Sequence, residues 1–474
     1  MSSPAKLARR IARLVGLAAL VSQPVWAQQP LRDVDAVAAG YIAEAMQSNL
    51  ALQGQQIEVL RAEAALKAAR ARFLPELALQ ARYTRADGGR TIDVPIGTLF
   101  NPAYQTLNEL LAAQGQPPRF APIPDASIPF QREREQDTRI TLRQPLYQPA
   151  IAANARAQRE LLRGAGAAEQ SLRRQLRRDV TVAYLNWLMA LRAQVVLTAT
   201  REVLDENLRV NESLLRNGRI TEDQVLRART EQLSLQQQQR AAASQVDQAR
   251  HYVNFLLNRA LDTPLEDARV PAFETTDAAE PDAAGLLASA QNRPELTQAA
   301  AQTAAAKAAQ RAARAALLPS LALGVDAGTQ GETWQLGPGY NFASASLVLT
   351  WKFFDGGANR AELDRARLAA RRAQLQQDAI TQQVSLEVRQ AADRLAETSE
   401  SLSTAEARAT AARSVLRIAE RKRDAGSISQ VEFLDARNAA TSAELALNLN
   451  RFELLQRRAE LEFAAGDKAT TGTP

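Results

Sequence analysis

The feature that most constrains this chain is an internal duplication. Residues 64–80 read AALKAARARFLPELALQ and residues 308–324 read AAQRAARAALLPSLALG, identical at 11 of 17 positions at an offset of 244. A second match pairs Gly218-Arg219-Ile220-Thr221 and Val225–Arg229 with Gly426-Ser427-Ile428-Ser429 and Phe433–Arg437, at an offset of 208. A repeat of this size predicts two copies of one supersecondary plan rather than a single irregular core. The difference in offset assigns 36 extra residues to the first copy. They fall within 86–137, rich in Gly, Pro and Asn, and read as an enlarged surface loop.

Each copy opens with an Ala-rich helix, about 37–73 and 284–317, closed by Pro75 and Pro319. Strict alternation follows. Leu77, Leu79, Ala81 and Tyr83 share one face against Glu76, Gln80 and Arg82. Ile140, Leu142 and Leu146 oppose Arg139, Thr141 and Arg143. Leu321, Leu323 and Val325 form a third segment, and Ala345, Leu347, Leu349, Trp351 and Phe353 a fourth. Period two marks strands with one apolar face. Between Ile151 and Asn217 there is no proline, and Val180, Tyr184, Trp187, Leu191 and Val195 follow helical spacing, as do Val384, Val388, Ala391 and Leu395. Helices of 60–70 residues would reach roughly 100 Å, which suggests a long antiparallel tube or coiled coil turning at Gly218 and Gly426.

Four strands cannot close a barrel, and an open exported sheet exposes its edges. Strands of about ten residues with alternating faces are the membrane-barrel signature. The two statements agree if several copies each donate four strands. Tyr83, Tyr147, Trp351, Phe353 and Phe354 sit at strand ends, where an interfacial girdle would lie. A small soluble sheet packed on the helices is the alternative.

Composition narrows the chemistry. The chain has no cysteine and one histidine, His251, which removes disulfides and thiolate metal sites and leaves His-rich zinc sites and most His-based triads with too few parts. No metal site or cofactor is expected. A carboxylate-pair glycosidase is not strictly excluded, but no aromatic sugar platform accompanies the Ala-rich helices, and no enzymatic activity is expected. Residues 1–27 read as a signal peptide: Lys6, Arg9, Arg10 and Arg13, then the apolar run Leu14–Val21, then Val25-Trp26-Ala27. Its removal lowers the net charge from +6 to +2, so basicity offers no argument for a nucleic-acid partner. The Arg173-Arg174 and Arg177-Arg178 cluster reads as an interhelical or solvated face. The resulting domain plan is a signal peptide (1–27), a first repeat (28–264), a linker (265–282), a second repeat (283–465) and a disordered tail (466–474).

The chain resembles the TolC family of outer-membrane efflux and secretion channels. The resemblance rests on Arg293-Pro294-Glu295-Leu296, Leu-Pro-x-Leu at 74–77 and 318–321, Phe353-Phe354-Asp355-Gly356-Gly357, and the G-x-x-[ST]-x-x-[EQ]-[VF]-L-x-A-R turns at 218–229 and 426–437. It implies a mainly α protein with a membrane β part: a homotrimer sharing a 12-stranded outer-membrane barrel that continues into a periplasmic helical barrel. It implies no enzyme. The partners would be a periplasmic adaptor (membrane fusion) protein, an inner-membrane transporter of a tripartite efflux or type I secretion system, and outer-membrane lipid. By resemblance, Glu432 and Asp435 would form an acidic ring at the tunnel mouth, favouring cations and open to polyvalent-cation block. The turns Asn217, Gly218, Arg219, Ile220, Thr221 and Ala425, Gly426, Ser427, Ile428, Ser429 would dock the adaptor. The competing reading is a soluble periplasmic coiled-coil scaffold.

Overall fold

A computed structural model describes residues 31–271 and 283–466. The segment expected as a signal peptide, most of the expected linker and the tail after Gly466 lie outside the described residues. The chain divides into two compact units, one comprising 1–53, 172–291 and 384–474, the other 54–171 and 292–383.

In chain order the elements are α1 (Val34–Ser48), α2 (Leu50–Ala71), β1 (Glu76–Arg85), β2 (Thr91–Val94), α3 (Ile96–Ala113), β3 (Ala126–Pro129), β4 (Arg134–Tyr147), α4 (Pro149–Arg216) and α5 (Glu222–Leu256) in the first repeat. The second has α6 (Ala283–Ala290), α7 (Pro294–Ala315), β5 (Ser320–Gly331), β6 (Asn341–Thr350), α8 (Ala358–Asp424) and α9 (Gln430–Ala465). The opening helix of each repeat is broken where a single helix was expected. Asn49 ends α1, and its side-chain oxygen accepts from the Leu52 N–H at 3.1 Å to start α2. Pro294 occupies the first turn of α7, the position where its missing N–H is harmless. Asn49 and Arg293 stand at the repeat offset of 244, so the break is itself duplicated.

The first unit is helical. Val180, Tyr184 and Leu188 of α4 pack with Val37 and Leu52, Val253 and Leu257, and Phe452. By length and composition alone α4 is apolar enough to cross a membrane, and less than half of that apolar stretch is buried. Tyr184 is fully buried, its ring 5.3 Å from Tyr41 and stacked on Trp187 at 5.9 Å. Burial drives its phenol above the usual range, and its hydroxyl donates to the Glu266 carbonyl at 2.8 Å. The Arg173–Arg178 cluster divides: Arg174 and Arg178 lie over the Phe463 ring at 5.2 and 4.4 Å, while Arg173 and Arg177 are exposed. His251 pairs with Asp262 at 3.0 Å.

The second unit holds an antiparallel sheet in the order β1-β4-β5-β6, with β1 and β6 at its edges. Register aligns Leu79 with Ile140, Ile140 with Ala327, and Ala327 with Ala343, so the apolar residues of all four strands share one face. The segment expected as a surface loop at 86–137 is folded. It contains the β2–β3 hairpin and α3, and its last residues already belong to β4.

Candidate functional site

Three regions were expected to carry function, and each is built differently. The sheet presents one apolar and one polar face. On the apolar face Leu77, Leu79, Ile140, Leu347 and Leu349 are exposed, Leu79 to 72 %. A polar residue set lies on the other: Gln80, Arg82, Asp137, Arg139, Thr141, Asp326 and Ser344. There Asp137, only 4 % exposed, is bridged by Arg139 and lies 3.8 Å from Arg82, while Arg139 sits over the Phe342 ring.

The five aromatics are all exposed. Tyr83 stands on the apolar face near the far end of β1. Tyr147 reaches that face only because the β4–β5 register shifts between Pro145 and Tyr147, which pairs it with Leu321; proline, lacking an N–H, is at home in such a bulge. The fourth strand ends at Thr350, so Trp351, Phe353 and Phe354 follow it rather than extend it. Trp351 donates its indole N–H to the Leu317 carbonyl at 3.2 Å, with Phe353 edge-on at 6.5 Å.

The two helix–helix turns share one backbone. Gly218 and Gly426 adopt φ of 64° and 66°, a left-handed conformation that glycine takes without a Cβ clash. In each, the following N–H closes a five-residue-back bond, Arg219 to Leu214 at 2.9 Å and Ser427 to Lys422 at 2.8 Å. This double-bonded ending satisfies helix carbonyls that would otherwise lack partners. Asn217, Gly218, Arg219 and Thr221 are exposed, as are Ala425, Gly426, Ser427 and Ser429, while Ile220 and Ile428 are half-buried anchors.

Glu432 and Asp435 are both exposed on α9. Glu432 also has a local task. Its carboxylate accepts from the Ser429 N–H at 3.1 Å, while the Ser429 hydroxyl accepts from the Glu432 N–H at 3.2 Å, a complete capping box. One turn further, the helix makes contacts that the spacing did not reveal. Phe433 is fully buried with Leu434, Leu197, Leu204 and Leu235, and Arg423 covers its ring at 4.4 Å. Gln430 donates to Asn207 at 2.7 Å, and buried Asn207 accepts from Asn211 at 2.9 Å. Arg437 is buried, donates to the Thr200 carbonyl at 3.2 Å and leaves its Nε without a partner. Burial holds its guanidinium below the ordinary arginine range, with Glu420 opposing and Arg423 adding to the effect. Among the described residues no group of His, Asp and Glu could hold a metal ion.

The duplicated helices and the open four-stranded sheet form a TolC-like fold, shared with solved outer-membrane channels. A membrane protein from Pseudomonas aeruginosa has the same fold at a TM-score of 0.76 and 20% identity, over 92% of this chain and 94% of its own. The CmeC outer membrane channel of Campylobacter jejuni matches at 0.76 and 17%, over 90% and 85%. The MtrE outer membrane channel of Neisseria gonorrhoeae, solved in an open state, matches at 0.70 and 19%, over 90% and 88%. No curated protein matches the chain. Residues 287–467, within the second repeat, match the outer membrane efflux protein family.

Proposed function

We propose that this protein is the outer-membrane duct of a multicomponent exporter, in which three copies complete one barrel and conduct substrate handed over by a periplasmic adaptor and an inner-membrane transporter. The observation that carries the reading is the sheet. Two unpaired edges and an exposed apolar face are tolerable in lipid once sister chains pair the edges. A soluble scaffold would leave Leu79, Leu347 and Leu349 in water, at a cost of about 25 cal/mol per Å². The polar face with Arg82, Asp137 and Arg139 then lines an aqueous lumen.

In this reading the exposed tips at 217–221 and 425–429 receive the adaptor. Three copies of Glu432 and Asp435 converge on the mouth of the duct, where carboxylates in close approach attract cations. Opening would draw α9 away from α4, breaking the Gln430–Asn207 and Arg437–Thr200 bonds. No chemistry is required of this chain; the transporter supplies the energy. Native mass spectrometry of detergent-extracted protein tests the assembly. Three chains are expected, and a single chain overturns the reading. Single-channel recordings of a Glu432→Gln, Asp435→Asn variant test the ring. Lost cation preference is expected, and an unchanged preference removes that role.

A further inference from the structure

The two helices attached to the open edges of the sheet each carry a second apolar stripe. In α2 one side is packed, with Leu66 and Ala69 buried. At about 3.6 residues per turn, the opposite side presents Ile57, Leu60, Ala64 and Ala68, and all four are exposed. In α8 Leu363 and Ala370 are buried, and the Ala373 carbonyl accepts from Thr303 of α7 at 3.1 Å. The opposite side of α8 presents Ala361, Leu368, Leu375 and Ala379, again all exposed, Leu368 to 71 %. Arg61 and Arg365 border these stripes, but each pairs with a glutamate three residues earlier, Glu58 and Glu362, at 2.6 Å. Lys67 and Arg372 border them too, on stems long enough to lie along an apolar surface with the charge in water. A helix with one packed and one solvated side has a single apolar stripe. These two have a pair on opposite sides, the pattern of a helix held between two neighbours.

The topology says what covers the outer stripes. Among the described residues β1 pairs only with β4 and β6 only with β5, so each keeps one edge open. Both strands have 10 residues. Laid antiparallel along their full length, they set Leu79 beside Leu347 and keep the apolar residues of both on one face; a slip of one residue would turn them to opposite faces. α2 leads into β1 and α8 follows β6, each through a short connection. A copy that lays its β6 on the β1 of another therefore brings its α8 beside the other's α2. The levels agree as well. Leu60 lies 11 residues before the end of α2, and Leu368 lies 10 residues after the start of α8. At about 1.5 Å per residue, both stand roughly 15 Å along the helix from its sheet end.

We propose that a second copy of this chain covers both stripes: Leu368 and Leu375 of α8 in one copy pack against Ile57 and Leu60 of α2 in the next. The two surfaces differ, so each copy uses both, and the contact repeats head to tail until a ring closes. The proposal rests on the reading that sister chains pair their sheet edges, and it adds a seam between helices, outside the sheet. The chain has no cysteine, so reactive pairs can be placed at exposed positions: Leu60→Cys with Leu368→Cys for the helices, and Leu79→Cys with Leu347→Cys for the sheet. Each full-length variant is extracted in mild detergent, treated with a short bismaleimide and run on a denaturing gel. The expected result is that most of each doubly substituted chain shifts to covalent dimer and trimer, while chains with Leu60→Cys or Leu368→Cys alone stay monomeric. Cross-linking through the sheet pair beside a monomeric helix pair overturns the helical seam and leaves the shared barrel standing. Free labelling of both helix thiols by a bulky water-soluble maleimide in the assembled protein overturns the seam in the same way. Monomer at both pairs overturns the shared barrel and the seam with it.

Discussion

The two helix–helix turns are copies of one element, and they are held by different means. Thr221 starts α5 with no side-chain cap, whereas Ser429 starts α9 with a full capping box. Val225 is half-buried and Leu226 is exposed, but their counterparts Phe433 and Leu434 are buried against α4 and α5. Arg229 is exposed and Arg437 is buried. The first turn is thus a backbone motif with little side-chain support inside the chain, and the second is locked onto its neighbours. Duplication preserved the turn geometry, and divergence at a few positions moved the packing energy to one copy. The proposed duct, opening at one set of hairpins, would use that asymmetry, one pair staying as frame while the other has contacts to release.

Substitutions can break the comparison in order of expected size. Phe433→Ala removes a fully buried ring and should cost about 3–5 kcal/mol, seen as a lower denaturation temperature in detergent and as leak current without an adaptor. Val225→Ala should change either readout far less. Asn207→Ala strands Gln430 and Asn211 and should cost about 1–3 kcal/mol; equal stability to the parent in urea titration would show that this polar contact does not hold the second turn. Ser429→Ala should cost about 1 kcal/mol, and Thr221→Ala should be silent because no cap bond is lost. Equal losses in the same titration would contradict the asymmetry.

The smallest effect concerns pH and the second copy of the helix break. Burial pushes the Glu295 carboxyl up, but the Ser171 hydroxyl at 2.7 Å, its own backbone N–H and Arg293 together bring it below the usual glutamate range. A carboxyl with a depressed folded-state pKa stabilises above its unfolded value, near 4.5, and that stability is lost as pH falls through the folded value. Glu295→Gln should flatten the acid limb of the stability profile below that pH. The first repeat carries Ala51 at this place, so Ala51→Gln should leave the acid limb as it is.

Much of this was legible because period and repetition are robust signals. The four strands follow from alternation at 77–83, 140–146, 321–325 and 345–349, and both turns from a glycine followed three residues later by a hydroxyl residue, of which only Ser429 caps its helix. What escaped depended on tertiary partners or on short signals inside strong ones. The breaks at Asn49 and Arg293 were masked by the Ala-rich periodicity around them, although a cap residue and a proline marked both. α3 was hidden by Pro102 within it and by the Gly and Pro on either side. Arg229 and Arg437 are the same residue in the same motif, so their opposite burial could not be read from either copy alone. The outward placement of Tyr147 needed the bulge at Pro145, which strict alternation does not foresee.

The central claim is that sister chains complete a pore through lipid. Purified protein added to a planar bilayer tests it most directly. The account predicts discrete, uniform conductance steps that carry current through heat-modifiable trimers. Protein that stays monomeric and soluble without detergent, and passes no current at any concentration, would contradict it.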